Sequence, residues 1–161
     1  AVIFAEGTLR LAASNMLYDH RAEKLVAGGG VSVAGSEWKG ILRSDSLYFN
    51  LQKERGVLLG YPHLHSTEEN DLHLSADSMH FDMSARTIKG VGQYQLTSGS
   101  VRVDAQRGRY AAADNQVVFV GSVFLRDIAA DTLAKYQIVS DSMTVQLAVG
   151  VATEVSAGGG V

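Results

Sequence analysis

Apolar and small residues recur along the chain in one frame. It runs apolar, any, apolar, any, small, two of any kind, apolar, any, aromatic. Leu72, Leu74, Ala76, Met79 and Phe81 fill it most fully. Leu9, Leu11, Ala13, Met16 and Tyr18 repeat it, as do Gly40, Leu42, Ser44, Leu47 and Phe49. Looser copies hold Val101, Val103, Ala105, Gly108 and Tyr110, then Tyr136, Ile138, Ser140, Met143 and Val145. The copies start at 9, 40, 72, 101 and 136, spaced 31, 32, 29 and 35 residues apart. A near-fixed period of this size marks one supersecondary unit stacked on itself.

The first three frame positions share one strand parity and the last two take the other. A regular strand would send the two sets to opposite faces. Burial of both on one side requires an extra residue near the small position, so a β-bulge or strand corner is predicted in every copy. Glycines near 30, 60, 90 or 92, and 121 begin a second recurring half. Asp45, Asp77 and Asp141 share a place at the bend. There they are expected to accept backbone N–H groups freed by the bulge. A catalytic carboxylate has no reason to be repeated.

Nearly every segment alternates and is rich in β-branched and aromatic residues. The pattern predicts an all-β antiparallel fold of roughly 12–16 short strands. Residues 1–161 are read as a single domain of about five repeats. Val2–Phe4 are predicted as a short edge strand. Gly28–Gly30 are expected to break one strand before Val31 and Val33 begin the next. Pro62, which cannot donate to a ladder, is placed at an edge or turn. The polar run 65–71 reads as an exposed loop, and 127–135 as a helical turn or long loop.

Composition narrows the function. Hydrophobic residues make up 46%, too many for a disordered chain. No apolar run reaches the ~18 residues that span a bilayer. Net charge is −3 with both signs interspersed, which argues against a nucleic-acid groove. Without cysteine, thiol and disulfide chemistry is absent. No nucleophile elbow, zinc-protease motif or triad is present. The expectation is a non-enzymatic protein with no cofactor. His63 and His65 share a strand face near His73, Glu68, Glu69 and Asp71, a spacing a metal accepts. A solvated loop is the favoured account of them, and no metal is expected.

The runs SDSLYFN (44–50), ADSMHFD (76–82) and SDSMTVQ (140–146), with GGVSV (29–33) and GSVFL (121–125), resemble the repeat of the OstA-like family. That family holds the periplasmic lipopolysaccharide-transport proteins LptA and LptC and the N-terminal domain of LptD. The likeness covers most of residues 9–147. Copy four departs from it with Gln106 and Gly108, copy one with Ser14. It implies a twisted antiparallel β-jellyroll, open at both ends, whose apolar interior carries lipopolysaccharide acyl chains between inner and outer membrane of a Gram-negative cell. It also implies a periplasmic location, with an inner-membrane anchor in a segment missing from this chain.

On that reading the lipid groove is lined by Met16, Tyr18, Val31, Val33, Leu47, Phe49, Met79, Phe81, Tyr110, Val118, Val120, Phe124, Met143 and Val145. Flexible Met side chains suit floppy acyl chains. An ordinary hydrophobic core is the competing account. Arg102, Arg107, Arg109, Arg21 and Lys24 either meet lipid phosphates or form a solvated face. The apolar lead-in Ala1–Phe4, and a far edge near Val145–Leu147 or Val161, carry no Lys or Pro guard. Partners are therefore expected there: other Lpt-type β-jellyroll proteins and head-to-tail copies of the chain. A structural β-repeat assembly module without cargo, or a carbohydrate-active enzyme on a β-scaffold, are the alternatives.

Overall fold

In a computed structural model the described residues are 1–36, 38–66, 71–127, 137–148 and 151–158. They form strands β1 (Val2–Glu6), β2 (Leu9–Ala13), β3 (Asn15–Asp19), β4 (Lys24–Gly35), β5 (Gly40–Asn50), β6 (Arg55–Leu59) and β7 (His63–Ser66). β8 (Leu72–Ser75), β9 (Ser78–Asp82), β10 (Thr87–Ser98), β11 (Val101–Ala111), β12 (Gln116–Asp127), β13 (Gln137–Ala148) and β14 (Val151–Gly158) complete one antiparallel sheet. No helix occurs among the described residues.

The sheet is folded along a line that cuts across the strands, which gives two wings. Strands β4, β5, β10, β11, β12 and β13 are long enough to run through the fold into both. In the first wing the order is β1, β2, β4, β5, β7, β8, β10, β11, β12, β13. In the second it is β3, β4, β5, β6, β9, β10, β11, β12, β13, β14. Ladder registers slip where strands cross: between Gly28 and Val31, Val91 and Tyr94, Asp104 and Arg107, and Val120 and Val123. Each slip absorbs the extra residue that the change of parity requires. In the fullest copy the parity changes across the break between β8 and β9, and Leu72, Leu74, Ala76, Met79 and Phe81 are all buried.

The bends show why glycine recurs. Gly60 and Gly92 have φ of +82° and +77°, and each is followed by another left-handed residue, Tyr61 or Gln93. Two such residues in succession turn the strand, and a side chain at the first would be strained. A Cβ on Gly60 or Gly92 would also overlap Asp45 or Asp77. Ser14 over Gly29 and Gln106 over Gly121 repeat the arrangement. The bend residues at 45 and 77 thus cap glycines fifteen positions on, where the sequence suggested acceptors for free N–H groups. At the third bend the backbone itself supplies the bond, Asp77 N–H donating to Gly92 O at 2.8 Å.

Two other expectations change in detail. The glycines at 28–30 do not end a strand; β4 runs through them with a bulge. Val145–Leu147 are not an edge, because β14 pairs with them. Pro62 sits at the corner between β6 and β7, where its carbonyl accepts the Ala76 N–H at 3.2 Å. Val2–Phe4 do form the outer strand β1. The expected features at 67–70, 128–136 and Val161 lie outside the described residues.

Candidate functional site: the space between the wings

The inner faces of both wings join in one apolar cluster. Leu11, Val33, Leu42, Leu64, Leu74, Leu96 and Val103 come from the first wing. Leu25, Leu47, Leu58, Met79, Ile88, Phe119 and Val145 come from the second. Only Ser44, Thr87 and Ser98 are buried polar residues among those described.

Aromatic rings hold the middle. Phe81 stacks on Phe49 with centroids 5.5 Å apart and meets Trp38 edge-on at 5.3 Å. Such pairs add about 0.5–1.5 kcal/mol beyond area burial. Trp38 lies in the β4–β5 turn at the far rim of the first wing, whereas Phe81 belongs to the second. Beside it Lys39 Nζ donates to Asn115 Oδ1, in the β11–β12 turn, at 3.4 Å. The two rims therefore meet. Tyr94 spans the fold, its ring lying across Gly90 and Gly108, where a Cβ would overlap it. Its hydroxyl has no hydrogen-bond partner, and burial pushes its pKa up. Neither Trp38 nor Tyr94 occupies a frame position, so the repeat did not reveal them.

Of the residues expected to line the groove, Val31, Val33, Leu47, Phe49, Met79, Phe81, Tyr110, Met143 and Val145 are buried together. Met16 is half-buried against the cluster, and Tyr18 is 43% exposed beside Phe4, ring centroids 6.0 Å apart. Val118, Val120 and Phe124 are half-buried on the outer face. The inward residues of β12 are Val117, Phe119, Val123 and Leu125. The run VVFVGSVFL is apolar on both parities, so alternation alone cannot choose its inner face.

The outer face is polar and basic in places. Arg102 pairs with Asp104 on its own strand, Nε to Oδ2 at 3.1 Å, and Gln95 Nε2 donates to the same carboxylate at 2.7 Å. Burial raises the Asp104 pKa, but the bonds from Arg102 and Gln95 outweigh it and hold the carboxyl below its ordinary value. Arg107 and Arg109 are exposed on β11 in the second wing. A surface hollow of about 740 Å³ includes Lys24, Tyr48, Arg55, Val57, His80 and Lys89.

No protein-family model matches the chain, and no curated protein is similar to it in sequence. Its fold is similar to that of LptH from Pseudomonas aeruginosa, the LptA-homologous periplasmic component of the lipopolysaccharide transport device. The likeness has a TM-score of 0.59 at 12% identity, over 65% of this chain and 76% of that one.

Proposed function

We propose that the chain is a non-enzymatic periplasmic lipid carrier that takes acyl chains of lipopolysaccharide between its wings. The observation that carries this reading is the apolar lining, continuous along the folded sheet and opening at the β3 end around Met16 and Tyr18. The fold likeness to a lipopolysaccharide-transport component supports the choice of cargo. Acyl chains would part the wings and replace contacts such as Trp38 with Phe81, a local exchange of one apolar packing for another.

The end strands support stacking on like modules. In the first wing the outermost described strand is β1, two beyond the through-running strand β4; in the second it is β3, one beyond. At the other end the outermost described strand is β13 in the first wing and β14 in the second. Setting one such end against the next copy's other end leaves two strands per wing between through-running strands. These are β1 and β2 in one wing, β14 and β3 in the other, antiparallel throughout. The chain already contains that interval between β5 and β10, filled by β7 and β8 or by β6 and β9. Head-to-tail contact of unlike ends is heterologous, so stacked copies form an open array wherever the rotation per copy does not close a ring.

Trp38, the single tryptophan, reports on cargo directly. Fatty acid brominated along its chain should quench Trp38 emission, and lipid A should reverse the quenching by competition. The rival reading, an assembly module without cargo, is favoured by the closeness of the aromatic packing. It predicts unchanged emission and no lipid in the native mass spectrum.

A further inference from the structure

We propose that His65, His73 and Asp71 form a divalent transition-metal site on the outer face of the first wing. His65 on β7 and His73 on β8 are directly opposed in the antiparallel ladder. Their rings face each other with centroids 4.1 Å apart. Asp71, just before β8, brings Oδ1 to 3.0 Å from His73 Nε2. One ligand atom from each residue lies within 4.8 Å of the other two.

The backbone register, rather than sequence spacing, makes the group. His63, two residues from His65, stays outside it and faces Tyr61 O through Nδ1 at 3.4 Å. The ladder neighbours of the histidine pair are Ile41 and Thr97, both uncharged, so no cation stands beside the pair along that row. Inner neighbours Leu64, Leu72 and Leu74 are packed in the core and fix the strands beneath the rings.

Two imidazoles and one carboxylate suit Zn²⁺, Cu²⁺ or Ni²⁺ and not the all-oxygen preference of Ca²⁺ or Mg²⁺. Tetrahedral Zn²⁺ bonds of about 2.0–2.1 Å put donors about 3.3–3.4 Å apart. The three ligand atoms, now within 4.8 Å of one another, therefore need to close by about 1.5 Å at most, a shift that χ rotations of the exposed His65 and Asp71 can supply. Three protein ligands leave a fourth position for water or another ligand. A bound ion would tie β7 to β8, two of the shortest strands in the sheet.

The test is calorimetric titration of the full chain, stripped with chelator, with Zn²⁺ alone. One ion per chain is expected. Affinity should fall at least tenfold in each of His65→Asn, His73→Asn and Asp71→Asn, and stay unchanged in His20→Asn, a histidine distant from the group. Zn²⁺ should also raise the melting temperature of the unaltered chain and not that of His73→Asn, because an ion that binds only the folded state stabilises it. Absence of saturable binding, or equal affinity in all four variants, would overturn the site.

Discussion

The same frame stands at the end of the sheet and in its middle with opposite outcomes. Met79 and Phe81 on β9 are 0% and 1% exposed, while Met16 is half-buried and Tyr18 43% exposed on β3. The side chains are close equivalents. What differs is their surroundings. β9 has β6 and β10 on its flanks, whereas among the described residues β3 pairs only with β4. Burial at a frame position therefore reports how many strands flank it. The interior is sealed in the centre and less covered at the β3 end.

The sharpest way to break this contrast is truncation at matched positions. Phe81→Ala should cost about 3–5 kcal/mol in denaturant unfolding, because Gly56 beneath the ring has no side chain to fill the hole. Tyr18→Ala should cost less than about 1 kcal/mol, as exposed sites usually do. Equal costs would mean that the end is as closed as the centre.

A smaller effect tests the bends. Gly92→Ala forces a left-handed φ and an overlap with Asp77, and should destabilise by about 1–3 kcal/mol. In the Asp77→Ala background the carboxyl part of the overlap is removed and only the close Cβ contact remains, so the cost should shrink in a double-mutant cycle. Gly99→Ala, also at positive φ but with open space around it, supplies the cost of backbone strain alone.

The smallest effect is electrostatic. Asp104 is held below its ordinary value of 3.8, so the folded state binds its proton less readily than the unfolded chain does. Its contribution is present above pH 3.8 and is lost as pH falls through the folded value. Asp104→Asn should lower stability at neutral pH and flatten the acid limb of the stability curve. Partial exposure keeps the change small.

Much of this was legible in the chain. The parity break between Ala76 and Met79 predicts a bend, and the bend is where ladder registers slip. The spacing of glycines after the bend carries the second half of the unit, though pairing Asp45 with Gly60 requires knowing that adjacent strands meet fifteen residues apart. Less was legible where alternation is uninformative. In β12 both parities are apolar, so Val118, Val120 and Phe124 could not be told from their inward neighbours. Trp38 sits in a turn, and turns carry no period. The approach of His65 to His73 depends on which residues β7 and β8 place opposite each other, a fact of register that local sequence does not hold.

The central claim is that acyl chains lie between the wings and not on the outside. Adjacent positions of β9 test it directly, since Met79 points inward and His80 outward. A photo-crosslinking amino acid is placed at one or the other in cells that make lipopolysaccharide. The account predicts lipopolysaccharide adducts at position 79 and none at 80. Adducts at 80 alone, or at neither position in a folded protein, would contradict it.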